Sequence, residues 1–580
     1  MKNVFNKLLF VLDSNERKKS FILTFLVLIG AILEMLGIGM LIPILSLLTD
    51  NEASSLYFGK VEQYLPIIAD FDKYNLIIFS LISIFIVYLL KTIFLSFLTW
   101  HQSLFIFGLD ANISKKLFKN YLYQDYTFYL KINSSKLIQN INVEVSNFIY
   151  SFALPLIIFI TELLIIIGIS ILLMIIEFKG FFLILILFGS FSFAYLFFTR
   201  KKLKKMASER FIHQTLSVKD VQQGIRSIKD VKVLGKEKEF YEYFKFHINN
   251  YTKMAGKTFF IQNLPKFILE LFAVAVLIIS ISFLLNSNYE IGNIIVITGI
   301  FAAASFKILP GVNRIMNSFV SMRYGYASLE EIYQDLQTET KKNNYIKNNI
   351  RSKLPFKNFI KFKNIYYSYP ENKEIILNNI NLEIRANTTI GLLGESGSGK
   401  TTFIDLLIGI LNPAKGEIKV DGKDISSNLR KWQNNIGYIP QFIYLIDDTI
   451  KKNIAFGLNE EIIDIGKMEN VLEVSQMKNF VETLPKKIET KVGEFGVRLS
   501  GGQRQRIGIA RSLYNNPNLL VMDEATNSLD EEIEKKIMNS IYLMKGKKTI
   551  LISSHKKSIL DKCDIILKFE SGKITPIKNK

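Results

Sequence analysis

The sequence has few of the residues that hold metals or covalent cross-links. Only one of its 580 residues is cysteine and four are histidine. The single thiol, Cys563, excludes an intrachain disulfide and a cysteine-based metal site. The histidines His101, His213, His247 and His555 are scattered, with no pair at the sequence spacing of metal ligands. We therefore expect Cys563 to be an ordinary, partly buried thiol.

Acidic residues are also fewer than basic ones. The chain has 72 Lys and Arg against 52 Asp and Glu, a formal net charge of +20, which alone would suggest a nucleic-acid partner. The basic residues crowd the segments between long apolar runs, as in RKKLKK from Arg200 to Lys205. Anionic lipid head groups would attract them there. We therefore expect membrane lipid, and no nucleic acid, as a partner.

Long apolar runs dominate the first half of the chain. Six segments approach the ~20 apolar residues that cross a bilayer, and they cover about 21–48, 75–98, 152–176, 181–198, 260–285 and 291–312. The segments between them differ in charge: 99–151 and 199–259 are rich in Lys and Arg, whereas 49–74 is acidic. Because positive loops stay in the cytoplasm, both termini are predicted to be cytoplasmic.

The two basic segments have the apolar periodicity of helices that extend beyond the bilayer. Turn-like breaks near 126–136 and 224–235 predict hairpins that project toward the second half of the chain. Residues 1–20 are predicted to form an interfacial amphipathic helix, with a packed core helix as the alternative. Its apolar face consists of Val4, Phe5, Leu8, Leu9 and Leu12.

The composition changes after the last apolar run. We expect a six-helix transmembrane domain over 21–335 and a polar, Lys/Asn-rich linker over 336–357. From 358 to 580 the apolar runs shorten to strand length between glycine-rich turns, which predicts a soluble α/β domain.

Two motifs in this second domain predict ATP and Mg²⁺ as cofactors. GESGSGKT, from Gly394 to Thr401, matches the phosphate-loop pattern between a strand-like and a helix-like segment. Its backbone N–H groups and Lys400 would bind phosphates, and Thr401 can ligate Mg²⁺. In LLVMDE, Asp523 ends an apolar strand and would hold Mg²⁺ through water, and Glu524 would act as the general base that polarises the attacking water.

Between these motifs, LSGGQRQR at 499–506 resembles the signature motif of ABC ATPases. Further motifs are similar to those of the same family. Tyr369 in YSYP resembles the aromatic that stacks on adenine, and Gln441 in IPQ resembles the Q-loop glutamine. Asp530 in NSLD resembles the D-loop aspartate, and His555 in SSHKK resembles the switch histidine that contacts the γ-phosphate. Lys556 departs from the pattern, because the family usually has Arg there.

The resemblance implies a fold class of six transmembrane helices of the exporter type fused to an α/β P-loop ABC ATPase domain. It implies three catalytic residues, Glu524, His555 and Gln441, and three residues around Mg²⁺, Thr401, Gln441 and Asp523. The ATP-binding residues it implies are Tyr369, Gly394, Glu395, Ser396, Gly397, Ser398, Gly399, Lys400, Thr401, Thr402, Ser500, Gly501, Gly502, Gln503 and Asp530.

The same resemblance implies that two chains work together. In this family Ser500 of one subunit caps the ATP held by the phosphate loop of the other. A homodimer is the simplest arrangement, and pairing with a different half-transporter is the alternative. TKVGEFG at 490–496, which includes Glu494, resembles the motif that exporter-type ABC proteins carry before the signature.

Charged residues inside the predicted spans suggest the cargo. Lys91, Lys266, Lys307 and Arg314 would form a cationic belt in the cytoplasmic half of the membrane. Facing a cavity, they would suit an anionic head group such as a phosphate. The alternative is that they snorkel to the interface. We expect the acidic residues Glu34, Glu162 and Glu270 to be structural partners, and Lys266 with Glu270 is an i,i+4 pair.

The membrane half is similar to the PglK-type lipid-linked oligosaccharide flippases of bacterial protein glycosylation. The similarity rests on the N-terminal helix, on KVEQYLP at 60–66 and on FKILPGVNRI at 306–315. It implies ATP-driven outward movement of a polyprenyl-pyrophosphate-linked glycan across the bacterial inner membrane. Three alternatives stay open: a lipid or multidrug exporter, a soluble ABC ATPase of DNA repair or translation, and an ATP-gated channel.

Overall fold

This computed structural model describes residues 2–40, 73–176, 178–285, 291–338, 352–369 and 374–578. The chain divides into two units. The helical unit comprises Met1–Gln124 and Lys131–Lys341, and the sheet unit comprises Asp125–Leu130 and Lys342–Lys580. Asp125–Leu130 lies at the first predicted hairpin. The segment 60–66 and most of the predicted linker lie outside the described residues.

Long helices form the helical unit. In chain order the helices are α1 (Lys2–Val11), α2 (Ser14–Gly39), α3 (Lys73–Leu122), α4 (Tyr126–Lys131), α5 (Ser134–Gln139), α6 (Val145–Phe148), α7 (Leu154–Ile176), α8 (Phe178–Arg226), α9 (Ile228–Leu234), α10 (Glu237–Leu285) and α11 (Ile291–Gln337). Two π-helical turns, Asn140–Glu144 and Ile149–Ala153, join α5, α6 and α7 end to end.

Helix lengths agree with the predicted spans. Within the described residues, four segments are long and apolar enough to cross a membrane, namely Ser14–Gly39, Tyr74–Leu122, Ser134–Ile175 and Glu237–Ala275. The other two predicted spans, 181–198 and 291–312, lie within α8 and α11. Residues 41–48 of the first predicted span lie outside the described part of the chain.

Four helices are much longer than a bilayer requires. α3, α8, α10 and α11 contain 50, 49, 49 and 47 residues. At 1.5 Å per residue each is about 70–75 Å long, more than twice the ~30 Å hydrocarbon core. The predicted helical extensions are therefore present. The predicted break near 224–235 is also present, because α8 ends at Arg226 and Gly235 adopts a left-handed conformation with φ of 61° after α9.

The N-terminal prediction needs a correction at its boundary. One helix was expected up to residue 20, but α1 ends at Val11 and α2 begins at Ser14. A new helix begins there because Asp13 and Glu16 form a capping box at its N-terminus. α1 packs against α11, with Lys7 paired to Glu330.

A buried ion pair joins three parts of the helical unit. The side chain of Glu144, in the first π-helical turn, is 0% exposed, and that of Arg210 on α8 is 3% exposed. Arg210 Nη2 donates to Glu144 Oε2 at 3.1 Å, and Ser328 Oγ on α11 donates to the same oxygen at 2.5 Å. Hydrogen bonds and ion pairs are stronger in this buried, low-dielectric environment. Water does not solvate the two charges there, so each charge is stabilised by its partner.

Two β-sheets form the framework of the sheet unit. Its strands are β1 (Phe359–Tyr367), β2 (Leu377–Arg385), β3 (Thr389–Gly394), β4 (Lys415–Val420), β5 (Lys423–Asp424), β6 (Ile436–Ile439), β7 (Leu519–Asp523), β8 (Thr549–Ser553), β9 (Ile565–Glu570) and β10 (Lys573–Lys578). The smaller sheet, in the order β2-β1-β4-β5, is antiparallel. The larger has the order β10-β9-β3-β8-β7-β6, with only the β10–β9 pairing antiparallel.

Helices surround these sheets. They are α12 (Lys400–Leu407), α13 (Leu429–Gln433), α14 (Ile450–Ile454), α15 (Ile465–Val474), α16 (Lys478–Thr483), α17 (Gly501–Leu513), α18 (Glu531–Tyr542) and α19 (Lys557–Leu560). Alternate residues of β7 belong to two different cores: Leu520 packs in one and Leu519 in the other. Cys563, between α19 and β9, is buried in the first core, deeper than expected from the sequence.

The predicted start of this domain at residue 358 is too late. Leu354 and Phe356 are buried in the second core, and the Phe356 ring meets Trp432 edge-on at 5.8 Å. The surrounding lysines and asparagines made this segment look like linker, but two alternating apolar side chains anchor it to the fold.

Replacing Glu144 by Ala should lower the free energy of unfolding by about 3–5 kcal/mol, because Arg210 would remain buried without its counter-charge. Thermal unfolding of the detergent-purified chain measures this loss. Glu209→Ala is the matched control: Glu209 pairs with the exposed Lys205 at 3.7 Å, and its loss should cost less than about 1 kcal/mol. Equal unfolding midpoints for the two variants would contradict the importance of the buried pair.

Candidate functional site: a phosphate loop and a carboxylate cluster

The predicted phosphate loop connects β3 to α12. Gly397 and Gly399 have φ of 83° and 101°, a region that other residues rarely adopt. Lys400 is buried, and its Nζ donates to the carbonyl oxygens of Gly394 at 2.7 Å and Glu395 at 2.9 Å. These bonds hold the ammonium group against the loop. A phosphate bound there could replace the carbonyl oxygens as the hydrogen-bond acceptor of Lys400.

Oxygen donors suited to Mg²⁺ lie beside the loop. Thr401 Oγ1 donates to Asp523 Oδ2 at 3.2 Å. Asp523 ends the fully buried strand β7, and this burial raises the pKa of its carboxyl group, while the hydrogen bond from Thr401 opposes the rise. A hydroxyl and a carboxylate are ligands that Mg²⁺ prefers. The two residues therefore fit the predicted magnesium site.

The three predicted catalytic residues lie together. Glu524 Oε1 is 2.9 Å from His555 Nε2, and Glu524 Oε2 accepts a hydrogen bond from Gln441 Nε2 at 2.7 Å. Asn527 Nδ2 donates to the same Oε2 at 3.0 Å. Glu524 thus accepts from several polar side chains at once, which fixes the direction of its carboxylate.

The backbone of Glu524 is itself unusual. Its φ of 49° lies in the left-handed region, and its N–H donates to the carbonyl of Ser553 at 3.1 Å. A non-glycine residue in this region costs on the order of 1 kcal/mol or more, and such residues cluster at functional sites. The arrangement turns the carboxylate out of the buried strand, where a water molecule can reach it.

The signature segment begins a helix. Ser500 caps α17 and forms a capping box with Gln503. Ser500 is exposed, and the helix N-terminus that follows carries a partial positive charge. In the described residues of one chain, no hydrogen bond or ion pair links Ser500 or Gln503 to the phosphate loop. Asp530, also exposed, stands at the N-terminus of α18.

Tyr369 lies beside the phosphate-loop helix. Its hydroxyl is 3.3 Å from Thr402 Oγ1, and its ring meets Tyr367 edge-on at 5.2 Å between centroids. The ring is only partly buried, which is compatible with the predicted stacking on adenine. Stacking on the base, the contacts with ATP and the binding of Mg²⁺ by Gln441 stay predictions.

Each half of the chain matches a known protein family, in agreement with the fold class predicted from the sequence. A family described as "ABC transporter transmembrane region" matches residues 20–307, and one described as "ABC transporter" matches residues 377–527. The chain has the two modules of an ABC exporter half-transporter. ATP and Mg²⁺ are the general cofactors of this family, in agreement with the loop and the Thr401–Asp523 pair.

The individual proteins that resemble this chain align with only part of its length. An ATP-dependent lipid A-core flippase of Alkalilimnicola ehrlichii is 33% identical over 276 residues, 47% of this chain and 46% of that protein. A lipid A-core flippase of Saccharophagus degradans is 32% identical over 62% of this chain and 59% of its own length. YgaD of Bacillus subtilis, named for multidrug export, is 30% identical over 56% and 55%. The chain thus spans about half the length of the curated relatives it matches.

A solved structure has the same fold. The structure of a bacterial Atm1-family ABC exporter with ATP bound aligns with a TM-score of 0.80 at 18% sequence identity. The alignment covers 98% of this chain and 96% of that one. The predicted fold class, a transmembrane helical domain fused to an ABC ATPase domain, is therefore confirmed.

The structure adds side-chain contacts around the predicted site that sequence reasoning missed. Asn527, three residues after Glu524, bonds its carboxylate. Asp405 on α12 is partly buried near Asp523, and burial raises its pKa to about 6. Lys556, where the family usually has Arg, donates to Glu534 Oε1 at 2.8 Å and Oε2 at 2.7 Å. The family motifs name Glu524 and His555 but not the further side chains that contact them or follow them, so the sequence motifs do not predict these contacts.

Glu524→Gln should abolish turnover and leave ATP binding intact, because the amide cannot accept the proton of the attacking water. We expect the rate of ATP hydrolysis to fall at least about 100-fold, with binding of a fluorescent ATP analogue within about twofold. Glu531→Gln is the matched control, since Glu531 is exposed and pairs with the exposed Lys535 across one turn of α18. A normal hydrolysis rate in Glu524→Gln would exclude this residue as the general base.

Proposed function

We propose that this protein is an ATP-driven flippase that moves a polyprenyl-pyrophosphate-linked oligosaccharide from the cytoplasmic to the outer leaflet of a bacterial inner membrane. The observation that carries the ATP-driven part is the convergence of Gln441, Asn527 and His555 on Glu524, beside the Thr401–Asp523 pair. The transmembrane family match supports the membrane part.

Residues of this chain would divide the work of hydrolysis. The phosphate loop and Lys400 would bind the phosphates of ATP, and Thr401 with Asp523 would hold Mg²⁺, which would neutralise charge at the phosphates. Glu524 accepts a proton from the attacking water. Gln441 and His555 keep the Glu524 carboxylate aligned until a phosphate is bound, and His555 then contacts the γ-phosphate.

Two copies of the chain would complete the site. Ser500 is exposed at the N-terminus of α17, where backbone N–H groups would bind an anion held by another subunit. We propose a homodimer in which Ser500 of each copy faces the phosphate loop of the other. Both termini are proposed to lie in the cytoplasm.

The predicted cationic belt is partly neutralised. Lys91 Nζ lies 2.8 Å from Glu34 Oε2, with both side chains buried, and 4.5 Å from the centre of the Tyr88 ring. This ion pair argues against snorkelling of Lys91 to the membrane interface. It also neutralises the Lys91 charge, which is then not available for an anionic cargo. The structure therefore supports the notion of Glu34 as a structural partner.

Arg314 is the strongest remaining candidate for an anion. Its Nε bonds Glu162 Oε1 at 2.6 Å, yet 47% of the Arg314 side chain is exposed. Among the described residues, its terminal nitrogens form no hydrogen bond, so one edge of the guanidinium can receive a phosphate oxygen pair. Lys266 is also exposed and forms no ion pair with Glu270 within the described residues. The side chain of Lys307 lies outside the described part of the chain.

A lipid or multidrug exporter is the second candidate function. Two relatives are named as lipid A-core flippases and one for multidrug export, so other amphipathic cargo fits the same fold. The soluble ABC ATPase hypothesis is wrong, because residues 20–307 match a transmembrane family. An ATP-gated channel stays an untested alternative.

Transport in proteoliposomes tests the cargo. A labelled polyprenyl-pyrophosphate glycan should move to the far leaflet with ATP, and not in Glu524→Gln vesicles. A labelled phospholipid, reconstituted in parallel, should move at the spontaneous rate. Intact ATP hydrolysis with a stationary glycan would overturn the proposed cargo; movement of the phospholipid instead would favour the second candidate.

Arg314→Gln should slow glycan flipping about tenfold or more, since one charge-assisted interaction with phosphate contributes about 1.5–3 kcal/mol. Basal ATP hydrolysis should change less than twofold. The matched control is Lys253→Gln, which removes an exposed cation from the cytoplasmic part of α10. Equal losses of flipping and hydrolysis in Arg314→Gln would indicate damage to folding instead of substrate binding.

A further inference from the structure

Two histidines far apart in sequence meet in the helical unit. His213 on α8 and His247 on α10 have their Nδ1 atoms 3.0 Å apart, with ring centroids at 5.2 Å and an interplanar angle of 41°. Both side chains are partly buried. Phe246 packs edge-on against both rings, at 5.9 Å and 5.1 Å. The contact lies beyond the predicted spans, on the cytoplasmic extensions of the two helices.

This spacing is close to that of two nitrogens bound to one metal ion. Tetrahedral Zn²⁺ binds imidazole nitrogen at about 2.0–2.1 Å, which places two such nitrogens about 3.3 Å apart. A widening of a few tenths of an ångström would therefore admit the ion. Neutral imidazole suits Zn²⁺, Ni²⁺ and Cu²⁺, whereas Mg²⁺ and Ca²⁺ prefer oxygen ligands.

An acidic side chain lies on the same helix as His213. Asp220 lies two turns beyond His213 on α8, and its Oδ2 is buried without a hydrogen-bond partner among the described residues. Burial raises the pKa of the Asp220 carboxyl group and the electrostatic influence of His247 opposes the rise, so the two side chains are within electrostatic reach. A cation between the imidazoles would favour the ionised carboxylate.

We propose that His213 and His247 bind one borderline divalent metal ion, with Zn²⁺ as the representative, and so fasten α8 to α10 outside the membrane. Within the described residues no three ligating side chains form a cluster. The proposed site would therefore have two protein ligands, the two imidazoles, and water would complete the coordination. The site does not depend on the identity of the transported molecule.

Zinc titration of the full-length protein, purified without a polyhistidine tag and without nucleotide, tests the proposal. With Zn²⁺ in competition with a chromophoric indicator, the wild type should bind one ion per chain at this site. His213→Ala and His247→Ala should each weaken that binding at least tenfold. His101→Ala is the matched control, since the His101 ring lies on Phe97 and not on another histidine, and it should bind as the wild type does.

A second control removes another place where zinc could bind, the His555–Glu524 pair. Binding that survives His555→Ala and is lost in His213→Ala supports the proposal; the reverse pattern overturns it. Zn²⁺ should also raise the unfolding temperature of the wild type and leave that of His247→Ala unchanged. Absence of saturable Zn²⁺ binding in the wild type overturns the proposal irrespective of how the variants fold.

Discussion

Parallel pairing of β3, β8 and β7 is the constraint on which the ATP site depends. The three strands run side by side in one direction, so their carboxyl ends meet at a single edge of the sheet. That edge brings together Gly394 at the start of the phosphate loop, Asp523 at the end of β7 and Ser553 at the end of β8. Apolar cores on both faces hold the strands, and polar groups appear only where the strands end. The left-handed turn at Glu524 then redirects the chain, so that the strand is buried while the carboxylate of the proposed general base is partly exposed.

In the helical unit, charges are stabilised mainly by pairing. Glu144 with Arg210, Glu34 with Lys91 and Glu162 with Arg314 each connect two different helices. A charge in an apolar environment requires a partner, and the partner is costly to remove. These pairs therefore help to specify which helix faces pack together. Uniformly apolar surfaces of Leu, Ile and Phe discriminate poorly between alternative packings. The Arg314 pair differs from the other two, because its cation is half exposed while its anion is buried.

The sequence predicted local features well and distant contacts poorly. The phosphate loop, the apolar strand that ends at Asp523 and the long helices follow from spacing and periodicity, which depend on neighbours in the chain. The assignment of Gln441 and Glu524 to one site needed a family motif, since the residues lie on different elements. Asn527, Asp405 and the His213–His247 contact gave no local signal, because tertiary packing creates them. The burial of Leu354 and Phe356 was missed for a related reason: the lysines and asparagines around two apolar side chains dominate the local composition.

The environment of Cys563 has a practical consequence for experiments on this protein. The thiol is 3% exposed, and burial raises its pKa to about 12, so it is almost entirely protonated at neutral pH and shielded from reagents. The natural chain therefore already serves as an unreactive background for site-directed labelling. A cysteine introduced on any exposed helix face can carry a spin label or fluorophore, and distances between labels can be followed without first deleting a native residue.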